Sequence, residues 1–261
     1  MFFLRNMILL LLVYFTSSTA LWAVEFNVQA EKALWRYQEY AKDVTGFSAI
    51  LPSKAQGDGA LVKLRLSSER DQDWFYAISG SLMDSTASAQ EVWGVTQTNQ
   101  LTMKQQDVRI DIQRRFLGAR FGLWLSTRQQ KQERKDFVVN HVATPLANEP
   151  IIEKISSNWI GLSLTSVGGN VGQFEARIDA GLALKVKVTN PLFIYPFSKK
   201  DGFRTGVHLR WTLPKQEVGV SGLNITLRYE YQELGGENTM NNGFWPYNRW
   251  QVASVGMMYA W

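Results

Sequence analysis

From residue 24 onward the chain alternates between apolar and polar positions with a period of two. Over 174–188 the even positions carry Phe174, Ala176, Ile178, Ala180, Leu182, Leu184, Val186 and Val188. The odd ones carry Glu175, Arg177, Asp179, Gly181, Ala183, Lys185 and Lys187. A helix would scatter these charges around its circumference, whereas an extended strand sends them all to one side. Shorter stretches repeat the pattern at 62–66, 74–82, 108–113, 119–126, 160–165, 203–213 and 223–231. A first strand around 33–40 is less regular. The 174–188 stretch outruns the roughly five or six residues of an ordinary strand. It also exceeds the ~9–11 residues that cross a bilayer at a tilt.

The connections alternate too. Short ones fall at 67–73, 117–118, 167–172 and 214–219; long polar or Gly/Pro-bearing ones fall at 43–58, 84–104, 129–153, 189–202 and 233–248. All seven prolines lie in these connections, as a closed sheet requires, because a proline inside it leaves a ladder hydrogen bond unmade. The pattern predicts an all-β chain, a closed antiparallel transmembrane β-barrel of about ten strands. Eight and twelve strands are the alternatives, since 84–104 has room for another hairpin. A soluble sandwich or a lipocalin-like ligand-binding barrel would give the same alternation with the faces reversed. The length of 174–188 and the aromatic residues near strand ends (Trp74, Tyr76, Trp211, Tyr229, Tyr231, Tyr259 and Trp261) favour the membrane reading. In it, greasy side chains point away from the barrel axis and ionised ones toward it.

Composition narrows the field. The 261 residues are 45% hydrophobic with a mean hydropathy of −0.18. That is too polar for a helical membrane bundle and suits strands with one polar face. Without cysteine, disulfide frameworks and thiolate metal sites are excluded. The formal charge of +5 lies in no long run and gives no reason to expect nucleic acid. The two histidines, His141 and His208, stand on unrelated segments, so no histidine metal site is expected, and no cofactor motif is apparent. The N-terminus has Arg5, an apolar run over 7–15 and small residues through Ala20, the layout of a secretory signal peptide. Residues 1–23 are therefore read as a signal peptide cleaved after Ala20 or Ala23, with a short membrane anchor as the alternative. A single barrel domain over 24–261 follows.

The last strand carries Ala253, Val255, Met257, Tyr259 and the terminal Trp261 on one face. This resembles the C-terminal signature of Gram-negative outer-membrane proteins, with Trp in place of the usual Phe. The resemblance implies a bacterial outer-membrane location and a strand read by the barrel-assembly machinery after periplasmic chaperones deliver the chain. It also implies contact with outer-membrane lipid and lipopolysaccharide, and carries no activity. The segment 35–40, with Gly46 and Leu51-Pro52 after it, is similar to the first hairpin of poorly characterised proteobacterial barrels.

Candidate chemistry sits on the polar faces. Neighbouring strands would bring Glu175, Arg177, Asp179, Lys185 and Lys187 beside Arg204, His208 and Arg210, and those beside Arg228 and Glu230. Mixed charges in a narrow barrel predict cross-strand ion pairs filling the interior. The second reading is a narrow, weakly anion-favouring pore; a bulky inward Trp124 argues for plugging. The omptin proteases are of similar size class, but no paired acidic motif stands at an outer strand end and no Asp lies two residues before His208. The expectation is a non-enzymatic barrel with no catalytic residues. A surface hydrolase comes second and a soluble periplasmic binding barrel third. Outside the membrane, 129–136 is a solvated strand extension or a lipopolysaccharide contact, and 235–247 an aromatic-tipped loop.

Overall fold

The computed structural model describes residues 24–40, 53–68, 73–93, 95–139, 142–143, 149–166, 174–191, 197–199, 201–213, 222–235, 237–239, 243–245 and 247–261. The expected signal peptide and His141 lie outside them. In chain order the strands are β1 (Val24–Tyr40), β2 (Ser53–Ser68), β3 (Trp74–Trp93), β4 (Val95–Phe116) and β5 (Ala119–Val139). Next come β6 (Val142–Ala143), β7 (Ile151–Ser166), β8 (Phe174–Thr189), β9 (Phe197–Lys199) and β10 (Gly202–Thr212). The last are β11 (Leu223–Leu234), β12 (Glu237–Thr239), β13 (Gly243–Trp245) and β14 (Tyr247–Ala260). The long strands run antiparallel in the order β1-β2-β3-β4-β5-β7-β8-β10-β11-β14. β14 then pairs with β1 from Asn27↔Ala260 to Tyr40↔Tyr247, so the sheet closes as a ten-stranded barrel. Closure leaves no long edge and satisfies the backbone within the sheet, as spanning hydrocarbon demands. No helix of the described residues is long and apolar enough to cross a membrane.

One end of the barrel carries the turn between β4 and β5. Leu117 and Gly118, with φ of 47° and 78°, form a two-residue hairpin turn that joins β4 to β5. Both positive φ values match the strand twist. At the same end Trp261 exchanges backbone hydrogen bonds with Phe26 and stacks on its ring at 5.5 Å.

Above this end lies a belt of outward apolar side chains, among them Phe26, Val62, Leu64, Trp74, Leu82, Leu123, Leu162, Leu182, Leu227 and Met257, all exposed. From Trp74 to Leu82 the strand covers about 26 Å at ~3.3 Å per residue. Tilted by ~40°, that makes a band of about 20 Å, close to the hydrocarbon height of such barrels. Exposed ion pairs mark its upper limit: Lys32–Asp58 at 3.3 Å and Lys104–Asp84 at 3.0 Å point outward. Outward charges are costly in hydrocarbon, so water begins at or below that level.

Three expectations need correction above the belt. The segments 53–58, 84–93, 95–104 and 129–139, read as connections, continue the strands into a raised collar. There the polar side chains face outward, as in the Thr86–Thr102 contact at 3.1 Å, and the apolar ones face in. The first strand begins at Val24, not near residue 33. It looked irregular because its apolar side changes from outward Phe26 to inward Ala33, Trp35 and Tyr37 as it leaves the belt. The third correction concerns Lys185 and Lys187, which are not in the lumen. Asn158 pairs with Lys185 while Trp159 pairs with Ala183, leaving Leu184 as an extra residue. This β-bulge turns everything after it by one side. Lys185 and Lys187 are exposed outside, and Val186 and Val188 are buried inside.

Candidate functional site

The lumen is the one region where chemistry-bearing side chains converge among the described residues. At mid-height β4 and β5 supply Asp107 and Arg128, and β10 and β11 supply Arg204 and Glu230. Arg128, with no exposed side-chain surface, bonds Asp107 at 2.8 Å and reaches across to Glu230 at 2.5 Å and Gln232 at 2.8 Å. Arg204 bridges Asp107 at 2.5 Å and Glu230 at 3.0 Å, and Arg228 also pairs with Glu230. Three strand boundaries separate β5 from β10, so these pairs span the bore rather than run along the wall.

A second layer lies nearer the tight-turn end. Arg109 of β4 pairs with Asp111 at 2.9 Å and Asp179 of β8 at 2.8 Å, and Arg177 of β8 returns to Asp111 at 2.5 Å. Glu175 accepts from Arg120 at 2.9 Å and Arg210 at 2.6 Å. His208 stands 3.4 Å from Asp179, whose oxygens Arg109 and Arg177 already engage. Trp124 fills the space between the layers. Its indole donates to the Leu162 carbonyl at 3.0 Å, and the Arg109 and Arg204 guanidiniums stand over its ring at 4.4 and 5.6 Å. Glycine at 161 and 181 makes this seat, since a Cβ at either would collide with the ring.

The collar interior is packed differently. Trp35 and Trp250 rings lie 5.0 Å apart among Leu61, Met83, Leu101 and Met103. A second apolar cluster joins Trp159, Ile155, Val186, Val188 and Leu234. Arg134 of β5 crosses to Glu39 of β1 at 2.7 Å.

Of the residues singled out from sequence, Glu175, Arg177, Asp179, Arg204, His208, Arg210, Arg228 and Glu230 face the lumen, with His208 paired in register to both Arg177 and Arg228. Lys185 and Lys187 do not. Ala253, Val255, Met257, Tyr259 and Trp261 share the outward face of β14. Asp107, Arg109, Asp111, Arg120, Arg128, Glu39 and Arg134 were missed as partners. Arg109, Asp111 and Arg120 did stand on polar faces in the alternation, but pairs such as Arg109–Asp179, Arg120–Glu175 and Arg134–Glu39 join strands that are not neighbours in the sheet. His141 lies outside the described residues, as do 236, 240–242 and 246 of the expected aromatic-tipped loop; 237–239 and 243–245 pair as a small hairpin. Among the described residues no group of acidic and histidine side chains could hold a metal ion.

No protein-family model and no curated protein sequence matches the chain. The fold does match solved structures. The outer-membrane protease OmpT of Escherichia coli aligns over 91% of this chain and 96% of its own, with TM-score 0.57 and 11% identity. The translocator domain of the autotransporter NalP of Neisseria meningitidis aligns over 90% and 88%, with TM-score 0.46 and 11% identity. Identities this low speak to architecture alone. The chain has the fold of a Gram-negative outer-membrane β-barrel.

Proposed function

We propose that this chain is a non-enzymatic barrel of the bacterial outer membrane, exported through a cleaved signal peptide, closed to solute passage and active through its outer surface. The observation that carries this reading is the crossing of the bore by Arg128–Glu230, Arg109–Asp179 and Arg134–Glu39, with Trp124 and the Trp35–Trp250 cluster between and above them. We read a bore so occupied as closed to solutes. Purified protein in planar bilayers should insert without discrete current steps. Regular, anion-selective steps would replace this reading with the narrow pore. His208 supports no hydrolase, because its carboxylate partner is held by two arginines; peptide or lipid hydrolysis lost in His208→Ala would reverse that.

The bulge supports a lipid-facing role. Outward Lys131 and Lys154 pair across β5 and β7, and Lys187 and Lys185 follow on β8 beside Ser156 and Asn158. Directly below Lys185 come the apolar rows Leu125/Ile160/Leu182 and Leu123/Leu162/Ala180. Four ammonium groups, with Glu133 paired to one of them at 3.0 Å, thus sit at headgroup height and suit the phosphates of lipopolysaccharide. Replacing all four by Gln should weaken retention of phosphorylated, but not dephosphorylated, lipopolysaccharide. The β14 face ending in Trp261 is read as the assembly signal, and Trp261→Ala should lower the folded yield in cells.

A further inference from the structure

Between the lower ion layer and β1, β2 and β11 lies a cavity of about 60 Å³. Six cationic side chains line it against four carboxylates, an excess of two positive charges. The carboxylates are already committed. Asp111 and Asp179 bind Arg109 and Arg177, Glu175 binds Arg210 and Arg120, and Glu31 accepts from Ser254 and Thr226. The surplus falls on one side. Among the described residues Lys63 has no ion pair or hydrogen bond, and its strongest charged neighbours are the cations Arg228, Arg65 and Arg109, ahead of Asp111. Arg65 makes no ion pair and rests on the Phe75 ring at 5.2 Å. The Nε–H groups of Arg65 and Arg228 are buried without acceptors, and the Arg228 side chain is only 7% exposed.

Arg228 shares the Glu230 carboxylate with Arg128 and Arg204, and Lys63 and Arg65 have no ion pair among the described residues; like charges so gathered are destabilising unless something anionic joins them. We infer that Lys63, Arg65 and Arg228 form a binding site for a small inorganic oxyanion such as phosphate, seated in the half of the lumen nearest the tight turns. Two guanidinium Nε–H donors and one ammonium are the donor set that oxyanions recognise. The cavity has room for one such ion. The site needs no open pore, so it and the closed-lumen reading can fail separately.

The test is thermal unfolding of the refolded full chain in detergent, read by gel mobility, with gluconate replaced by phosphate at constant ionic strength. The midpoint should rise saturably with phosphate. Lys63→Gln, which breaks no pair, should fold with an unchanged or higher midpoint in gluconate and need at least tenfold more phosphate for the same rise; Arg65→Gln should behave alike. A wild-type midpoint indifferent to phosphate, or variants responding as the wild type does, would overturn the site.

Discussion

The belt and the collar use one sheet in opposite ways. Along β3, outward Trp74, Tyr76, Ile78 and Leu82 are apolar while inward Ser79 is polar. Higher on the same strand outward Asp84 and Thr86 are polar and inward Met83 and Ala89 apolar. The backbone keeps its alternation throughout. What changes is the solvent outside, hydrocarbon below and water above, and the interior changes with it. In the belt, ion pairs fill the bore; in the collar, tryptophans do. The belt thus resembles an inverted soluble protein and the collar an ordinary one. The soluble-barrel alternative from the sequence describes the upper half of the molecule correctly and the lower half in reverse.

The sharpest way to break this contrast is at the bore itself. Arg128→Met removes a fully buried guanidinium and leaves Asp107 and Glu230 with less cationic charge between them. Unpaired buried charge costs about 3–5 kcal/mol, a loss measurable by urea unfolding in lipid vesicles. Adding Asp107→Asn should recover part of it, because one of the stranded carboxylates then disappears. A loss under about 1 kcal/mol for the single variant would mean that water, not protein, compensates these charges.

The same substitution on the outer face should separate the two regions. Leu162, 65% exposed, faces hydrocarbon near mid-belt, and Thr102 faces water in the collar. Arginine at a lipid-facing midplane position costs about 2–4 kcal/mol, whereas at an exposed aqueous position it stays within about 0.5 kcal/mol. Leu162→Arg and Thr102→Arg should therefore differ by at least fourfold in destabilisation. Equal effects would put the membrane edge in the wrong place.

Much of this was legible in sequence where one regime holds for a whole stretch. The belt segments, the turn at Leu117-Gly118 and the inward Trp124 follow from alternation and turn chemistry alone. So do the adjacent charges Arg177, His208 and Arg228, whose strands are neighbours in the chain. The collar was not legible, since polar outward residues such as Thr86, Gln90 and Lys104 look like a loop when lipid is assumed outside. Nor were the pairs Arg128–Glu230 and Arg109–Asp179, which join strands distant in sequence and facing across a bore. A bulge is the hardest case. The apolar and polar residues of 174–188 alternate without a break, and nothing in their order tells that Leu184 takes no partner.

That residue gives the finest test of the comparison, with almost no effect on stability. In the bulged strand Lys187 points out to water and Val186 into the collar. A cysteine at 187 should react with a bulky maleimide in the folded protein, and a cysteine at 186 only after unfolding. Each replacement at these sites is small, and the exposed one should cost less than about 0.5 kcal/mol. Deleting Leu184 then separates the two registers. Where Leu184 is the unpaired extra residue, its loss straightens the strand and the labelling pattern stays as it was. Were 174–189 a regular strand, cysteine 186 would label first in the full chain, and deleting Leu184 would exchange the two sites. The bulge is also what turns Lys185 and Lys187 to the outer face that carries Lys154, so a swapped pattern would remove the lysine edge from the outer surface along with it.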